Sequence, residues 1–157
     1  MMRITLRKTE KGDLATLFEF QKDEEANRLA AFTSVDPTDE TAFLAKWDRI
    51  LSDPATNNQT ILMDGTVVGN VAKFEVSCEA EITYWIDRNF WGKGIATEAV
   101  KSFLNIEDTR PIAGRVAFDN VASQRVLENC GFMRTGTDWG YANARRREIE
   151  EFIYRLL

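Results

Sequence analysis

The spacing of apolar side chains predicts a strand and then a helix at the start of the chain. Ile4 and Leu6 stand two residues apart, as in a short strand with one buried face. Asp13 can cap the next element, a helix whose apolar face holds Leu14 and Phe18. The chain therefore begins with a β-α unit.

A second helix is predicted after Asp36 and Pro37, which have the residue types of an N-cap and a first helical position. Pro54 stands just past its predicted end. Its apolar stripe consists of Phe43, Leu44, Trp47, Ile50 and Leu51. The stripe predicts packing against a core.

The middle of the chain is rich in strands. The segment TILMDGTVVGNVAKFEV holds two β-rich runs around Asp64-Gly65, a dipeptide that accepts the positive φ angles of a tight hairpin turn. The run EITYWI predicts a third strand, so these residues form a meander.

The remaining pattern alternates between helices and strands. We expect a helix from about Gly94 to Leu104, a strand over Ile112–Phe118, a helix over Val121–Cys130 and two final strands. Asn120 is in the N-cap position of the second helix, and Gly131 follows its end.

Composition favours one soluble domain. The 157 residues fit a single domain, 1–157, and 44% of them are hydrophobic, which is enough for a conventional core. No apolar run could span a membrane, and the N-terminus lacks the apolar stretch of a secretory signal. Cys78 and Cys130 are too few for a disulfide framework. We expect a cytoplasmic protein with free thiols.

Charge and residue usage exclude several functions. The net charge of −5 opposes direct nucleic-acid binding and suits a cationic ligand better. The chain has no histidine, which excludes Ser-His-Asp and Cys-His nucleophile systems and all zinc sites that use histidine. We expect no metal, so catalysis would use carboxylates, hydroxyls, backbone N–H groups and a cosubstrate.

A candidate anion site precedes the third predicted helix. Gly92 and Gly94 let the backbone approach a ligand, and the first N–H groups of the following helix lack helical partners. The helix dipole, the charge of Lys93 and the hydroxyl of Thr97 would all favour a pyrophosphate. A simple tight connector is the alternative. The P-loop and dinucleotide patterns are absent, since the latter needs glycine where Thr97 stands.

A second polar cluster lies at the start of the next helix, in AFDNVASQRVLENCGF. Asn120 is the N-cap of this helix, and Ser123 carries a hydroxyl in its first turn. Both side chains could face a ligand, or they could have only these ordinary structural roles. Farther along, Arg145-Arg146-Arg147 could hold an acidic partner or a phosphate, or could be a solvated charge cluster.

Together, YWIDRNFWGKGIATEA and DNVASQRVLENCGF resemble the GCN5-related N-acetyltransferase (GNAT) superfamily, in particular its ribosomal-protein N-terminal acetyltransferase (RimJ/RimL-like) branch. The resemblance is strongest over Glu79–Phe132. It implies an α+β fold with a mixed, mostly antiparallel sheet of six to seven strands and helices on both faces. It also implies acetyl-coenzyme A (acetyl-CoA) as cosubstrate.

The resemblance also assigns roles to residues. The residues implied to bind the pyrophosphate are Gly92, Lys93, Gly94, Ile95, Ala96 and Thr97. The strand before this loop would splay from its neighbour, and the residues implied to bind the pantetheine arm there are Trp85, Ile86 and Asp87. Asn120 would contact the pantetheine or the acetyl end, and Ser123 would stand near the sulfur. Arg88, Lys93 and Arg125 are the candidates for further phosphate contacts.

Two positions depart from the superfamily pattern. Trp91 replaces a glutamine or arginine, a change typical of RimJ/RimL-like proteins. Leu127 stands where many relatives have the tyrosine that acts as general acid, which leaves Ser123 as the local substitute.

Amine attack on a thioester also needs a base and an oxyanion donor. Glu81 is the candidate base, directly or through water, because alternation places it on one strand face with Trp85. A solvated or salt-bridged glutamate is the alternative, with Glu79 and Glu75 in reserve. A strand N–H near Trp85 or Ile86 would stabilise the negative charge on the carbonyl oxygen.

The predicted function is acetyl transfer from acetyl-CoA to a primary amine, by direct attack in a ternary complex with the acceptor. A protein or peptide N-terminal α-amine is favoured, because its pKa lies below that of lysine. A polyamine or amino sugar acceptor and a non-catalytic CoA-binding module are the alternatives. Cys130 is expected to be a core residue, and the sequence leaves monomer or homodimer open.

Overall fold

The computed structural model describes residues 2–157, which form a seven-stranded sheet and five α-helices. The strands are β1 (Ile4–Lys8), β2 (Asn57–Met63), β3 (Thr66–Val76), β4 (Glu79–Ile86), β5 (Ile112–Ala117), β6 (Met133–Ala142) and β7 (Arg147–Leu156). The helices are α1 (Leu14–Gln21), α2 (Glu24–Ala30), α3 (Glu40–Ser52), α4 (Ile95–Ile106) and α5 (Val121–Asn129). Short 3₁₀ turns cover Lys11–Asp13 and Arg88–Phe90.

The sheet has the order β1-β2-β3-β4-β5-β7-β6. All neighbouring strands are antiparallel except β4 and β5, which run parallel. The predicted mixed, mostly antiparallel sheet is therefore confirmed, with seven strands. Within residues 2–157, no helix is both long and apolar enough to cross a membrane.

Helices cover both faces of this sheet, as predicted. Val67 and Val68 are consecutive in β3 and pack against different clusters of apolar side chains. Val68 belongs to the larger core cluster, together with Phe103 of α4. Val67 packs against a second cluster that includes Leu17 of α1 and Trp47 of α3.

The parallel strands β4 and β5 diverge soon after they meet. Only Ala80 and Glu81 of β4 pair with β5, opposite Ile112 and Ala113. The rest of β4 up to Ile86 is paired with β3 alone. The splay that the resemblance implied is therefore present, and it leaves one edge of β4 open.

Helix α2 was not predicted, although its sequence contains an N-cap residue and acidic side chains in the first turn. Asp23 is its N-cap and accepts a hydrogen bond from the N–H of Ala26 at 2.8 Å. Glu24 and Glu25 in the first turn suit the helix dipole. The helix has only seven residues, which is too short for a clear apolar period.

The predicted start of α3 was wrong. Asp39, and not Asp36, is the N-cap, accepting from the N–H of Ala42 at 3.0 Å. The Asp36 carboxylate instead accepts from the N–H and hydroxyl of Thr38, which closes a turn before the helix. Leu44 is 44% exposed and so lies outside the buried stripe.

Other local predictions are confirmed. Asp64 and Gly65 form the hairpin turn with φ angles of 50° and 85°. Asn120 caps α5 by accepting from the N–H of Ser123 at 3.3 Å, and Gly131 beyond the helix has a φ of 92°. The predicted bounds of α4, β5 and α5 agree with the observed ones to within two residues.

Asp13 immediately precedes α1, but its side chain makes no capping hydrogen bond to that helix. The carboxylate accepts two hydrogen bonds from the Arg7 guanidinium, at 2.7 and 2.8 Å, and others from the Glu10 N–H and the Thr60 hydroxyl. These donors, with Arg7 the largest cause, lower the pKa of Asp13 from 3.8 to about 2. The group thus ties the start of α1 to β1 and β2.

This contact predicts a specific loss of stability in acid. Because the pKa of Asp13 is lower in the folded chain, its contribution is complete above pH 4 and disappears as the pH falls towards 2. Between pH 5 and pH 2 the wild type should lose about 2 kcal/mol more unfolding free energy than Asp13→Asn. Urea unfolding at both pH values measures this difference, and parallel losses in the two proteins would contradict it.

Candidate active site

The backbone before α4 has the geometry that the glycine motif predicts. Gly92 and Gly94 both lie in the left-handed region, with φ angles of 78° and 76°, and a Cβ at either position would meet no atom within 4 Å. Gly94 is the N-cap, and the first helical hydrogen bond runs from the Glu98 N–H to the Gly94 carbonyl at 3.2 Å. The N–H groups of the first turn therefore have no acceptor within the helix.

The connector between β4 and α4 is held by its own side chains. The Trp91 indole donates to the carbonyl of Ile86 at 2.9 Å. The Asp87 carboxylate accepts from the N–H of Asn89 at 3.2 Å and so caps the 3₁₀ turn. Trp91, where the broad superfamily has glutamine or arginine, thus fixes the loop to the end of β4.

A cavity of about 260 Å³ lies against this loop. Its walls come from α2, the open end of β4, the connector, the first turn of α4 and the first turn of α5. The predicted site residues that line it are Trp85, Ile86, Gly92, Gly94, Ile95, Ala96, Thr97, Asn120 and Ser123. The two sequence motifs therefore meet in one space, which we call the donor cavity.

Backbone direction along β4 decides which groups face the splay. The N–H of Asp87 donates to the carbonyl of Val68 in β3 at 2.8 Å, so it points away from β5. Backbone direction alternates along a strand, so the polar groups of Trp85 also face β3, while those of Tyr84 and Ile86 face the open edge. Of the three residues expected to bind pantetheine, only Ile86 has its backbone turned to the gap.

Asn120 and Ser123 stand at the start of α5. The Asn120 amide is used at both ends, since its oxygen caps α5 and its nitrogen donates to the carbonyl of Leu29 in α2 at 3.3 Å. It therefore joins two walls of the donor cavity. The Ser123 hydroxyl lies 2.5 Å from the Tyr84 hydroxyl.

Tyr84 is the site residue that sequence reasoning missed. Its hydroxyl also lies 3.2 Å from the Ser123 carbonyl. Burial raises the pKa of the Tyr84 phenol to about 12, so the phenol stays protonated. Strand alternation was the available signal, because it puts Tyr84 on the face opposite Glu81 and Trp85. The 39-residue separation from Ser123 concealed the contact.

A larger cavity of about 580 Å³ lies on the other side of β4. It is bounded by α1, α3, the segment between α2 and α3, and the strands β2, β3 and β4. Tyr84 and Trp85 line both cavities. The two spaces thus meet at the open part of β4, and we call the second one the acceptor cavity.

Glu81 lies at the fork of β4 and β5 and lines neither of these two cavities. Its carboxylate is 3.6 Å from the Arg115 guanidinium, which also contacts Glu151 at 2.6 Å and Asp138 at 3.2 Å. Burial raises the pKa of Glu81, and Arg115 opposes this shift. Glu75, one of the reserve candidates, lines the acceptor cavity.

The basic candidates differ in their surroundings. Arg88 is ion-paired with Asp23 at 3.2 Å. Lys93 and Arg125 are exposed, and neither has an ion-pair partner within residues 2–157. Like Asp87, these three residues stand outside the donor-cavity lining.

The side chain of Arg145 is not solvated. This corrects the interpretation of Arg145-Arg146-Arg147 as a solvated charge cluster. Its side chain is 9% exposed and grips the Asp119 carboxylate through two hydrogen bonds of 2.8 and 2.9 Å. It also donates to the carbonyl of Arg28 at 2.6 Å. Arg145 therefore ties α2 to the loop that carries Asn120.

Comparison with known proteins identifies the class of this fold and site. The family profile described as "Acetyltransferase (GNAT) domain" matches residues 3–133. The chain belongs to this GNAT acetyltransferase family. It is an acetyl-CoA-dependent acyltransferase, as the two motifs predicted.

Individual relatives agree with this assignment. The chain is 30% identical to "Putative ribosomal N-acetyltransferase YdaF" of Bacillus subtilis (strain 168), over 98% of this chain and 91% of that protein. This similarity supports the RimJ/RimL-like branch. The fold matches Mycobacterium smegmatis RimJ in complex with CoA-disulfide with a TM-score of 0.84, at 20% identity, covering 98% and 81% of the two chains.

A third similar protein is a spermidine N-acetyltransferase from Vibrio cholerae in complex with CoA and spermine. It has a TM-score of 0.79 and 21% identity, covering 97% of this chain and 95% of that one.

Within residues 2–157, no group of three or more His, Cys, Asp or Glu side chains could hold a metal ion.

Proposed function

We propose that the protein acetylates the N-terminal α-amine of a protein or peptide, by direct attack within a ternary complex. The observation that carries this proposal is the meeting of two cavities at Tyr84 and Trp85. One cavity contains the glycine loop and suits the donor, and the other is large and open to an acceptor. Acetyl-CoA supplies the acetyl group as an activated thioester.

The chain would hold the diphosphate through the first turn of α4. A Cβ at Gly94 would meet no atom within 4 Å, so the start of α4 is open, and the helix dipole adds positive potential there. The exposed side chain of Lys93 adds a full charge beside them. No metal is needed for this arrangement, since backbone donors and one lysine provide the complementary charge.

The pantetheine arm would lie along the open edge of β4. The backbone groups of Tyr84 and Ile86 that face this edge are not paired with β5, so they can bond to an amide-containing ligand. The Ile86 carbonyl already accepts from Trp91, which leaves its N–H as the free group. A strand N–H here would also stabilise negative charge on the thioester oxygen.

The acceptor cavity suits a peptide end. Its lining includes the exposed side chain of Thr83 and the amide side chains of Gln21, Asn58 and Asn70, which can bond to peptide groups. An α-amine has a pKa of about 7.7–8.0 and lysine about 10.4, so deprotonation of lysine costs over 3 kcal/mol more at about 1.36 kcal/mol per unit. Glu81 lines neither cavity and contacts Arg115, so as the base it would act through water, whereas the reserve candidate Glu75 lines the acceptor cavity directly.

Direct transfer is favoured over an acetyl-cysteine step. The Cys130 thiol lies 3.7 Å from the Thr97 carbonyl, to which it donates. Burial raises the pKa of this thiol, so the nucleophilic thiolate is disfavoured. Cys130 thus serves packing between α4 and α5.

The test is thiol release from acetyl-CoA across an amine panel of peptides with free N-termini, spermidine and an amino sugar. The proposal predicts release that depends on a peptide α-amine and is lost when that amine is blocked. Thiol release with spermidine or the amino sugar, but not with any peptide, would contradict the peptide acceptor and indicate a small-molecule amine instead. Binding without release for any amine would instead support a CoA-binding module without turnover.

Cofactor binding has its own expected effect. Acetyl-CoA at 100 times its Kd should stabilise the folded chain by about 2.7 kcal/mol. For a domain of this size, that stabilisation raises the Tm by roughly 5–10 °C. Thermal unfolding with and without acetyl-CoA measures it, and an unchanged Tm at saturating ligand would contradict the donor site.

A further inference from the structure

We propose that Tyr84 is a positioning residue that turns the Ser123 hydroxyl towards the sulfur of bound coenzyme A. This inference rests on the proposed role of Ser123 in the donor cavity. It assigns a function to the buried phenol that the sequence motifs left without one.

The contact crosses the splay between β4 and β5. Tyr84 belongs to the part of β4 that has no partner in β5, and Ser123 is in the first turn of α5, which follows β5. Their hydroxyl oxygens are 2.5 Å apart, and both residues line the donor cavity. The pair therefore bridges the gap along which the thioester arm would lie.

Only one of the two hydroxyls can donate its hydrogen to the other, and the choice of donor decides whether the serine hydrogen is available to a ligand. Each hydroxyl has one hydrogen and two acceptor positions. When Tyr84 donates to the Ser123 oxygen, the serine hydrogen is free to point into the cavity. When Ser123 donates to Tyr84, the phenol donates to the Ser123 carbonyl at 3.2 Å, and nothing is offered to the cavity. A negatively charged sulfur selects the first arrangement, because it is a strong acceptor.

Without the phenol, the serine hydroxyl has other choices. Serine in the first turns of a helix readily bonds to nearby backbone carbonyls. Asn120 cannot prevent this, since it accepts from the backbone N–H of Ser123 and not from the hydroxyl. Tyr84 is thus the contact that occupies the serine oxygen and releases its hydrogen towards the ligand.

Tyr84 acts without losing its proton. Its pKa of about 12 is well above that of a free thiol, about 8.5, so transfer from the phenol to the sulfur is unfavourable. No bond to hydrogen is broken at Tyr84. Its contribution is orientation and mutual polarisation within a chain of hydrogen bonds.

Packing of the core explains why the phenol beside Ser123 is on β4 and not at position 127 of α5. Leu127, at the position where many relatives have a tyrosine, is 1% exposed. A Cβ added at Gly114 would lie 2.8 Å from its Cδ1, so the side chain fills the core against β5. A hydroxyl can reach the donor cavity from Tyr84 instead, on the opposite side of the gap.

The test measures the affinity of CoA relative to its S-methyl ether, which has no ionisable thiol, at pH 7 and pH 10. If the pair stabilises the thiolate, CoA gains affinity over the ether as the thiol ionises. We expect a relative gain of about tenfold in the wild type, as for one hydrogen bond to a charged group. Tyr84→Phe should reduce the gain to about threefold, and Ser123→Ala should nearly abolish it.

The variants also separate positioning from packing. Tyr84→Phe added to Ser123→Ala should cause no further loss, because Tyr84 acts on the sulfur only through the Ser123 hydroxyl. Tyr154→Phe is the matched control: Tyr154 is a buried tyrosine whose hydroxyl lies 3.1 Å from a Glu128 carboxylate oxygen, outside the donor-cavity lining. It should keep the full gain.

Three results would overturn the inference. They are a wild-type gain that persists in Tyr84→Phe, a gain that persists in Ser123→Ala, and losses that add in the double variant. Ser123→Ala also removes the contact between the two hydroxyls, so it tests whether the pair stabilises the thiolate even if Tyr84→Phe folds poorly. Because no acceptor amine is present, this readout is independent of the amine panel, whose failure would count against the proposed function alone.

Discussion

Gly94→Ala should fold and yet bind acetyl-CoA at least about 100-fold more weakly than the wild type, as expected for the loss of two charge-assisted hydrogen bonds. Gly94 has a φ of 76°, a region where a side chain costs about 1–2 kcal/mol. The added methyl would meet no protein atom within 4 Å, so it would occupy open space at the loop to which the diphosphate is proposed to bind. Isothermal titration with acetyl-CoA measures the loss.

Gly65→Ala is the control for Gly94→Ala. Gly65 also has a positive φ, 85°, and a Cβ at this position would likewise meet no atom within 4 Å. Its hairpin turn lies outside the donor-cavity lining. Gly65→Ala should lose comparable stability and keep its affinity for acetyl-CoA. Equal affinities of Gly94→Ala and the wild type would show that the diphosphate does not use the turn before α4.

Gly69→Ala should lower the unfolding free energy by about 3 kcal/mol, the upper range for overpacking a closed site. Gly69 lies in β3 opposite Ile86, and a Cβ there would overlap the carbonyl oxygen of Trp85. The obstacle is backbone, so no rotamer change can relieve it. The strain falls where β4 runs along its open stretch, and we expect weaker acetyl-CoA binding as well.

Gly136→Ala provides the comparison for Gly69→Ala. Gly136 is also a strand glycine, in β6, but a Cβ at this position would meet nothing within 4 Å. Its Tm should stay near that of the wild type. The Tm of Gly69→Ala should fall by roughly 6–12 °C for a chain of this size. Similar melting temperatures for the two variants would contradict the close approach of β3 and β4.

The parts of the site that sequence could predict are those set by short-range chemistry. Gly92 and Gly94 have positive φ angles because the chain must turn into α4, and glycine is the residue that adopts them without strain. The Asn120 cap similarly requires only a polar side chain three residues from a helical N–H. Such signals lie within one turn of the chain.

The parts that sequence could not predict depend on long-range contacts. Tyr84 meets Ser123 only because β4 and β5 diverge, and Arg145 reaches Asp119 only because the turn between β6 and β7 lies beside the loop between β5 and α5. The start of α3 failed for a different reason. Asp36 and Asp39 both have capping side chains, and Asp36 bonds to Thr38 instead.

A crystal structure of the protein with acetyl-CoA would show directly whether the first turn of α4 binds the diphosphate. We predict diphosphate oxygens about 3 Å from the backbone nitrogens of the first turn of α4, at Ile95, Ala96 and Thr97. The thioester should then lie between β4 and α5. A diphosphate bound elsewhere, with this turn blocked by the protein's own side chains, would contradict the proposed donor site.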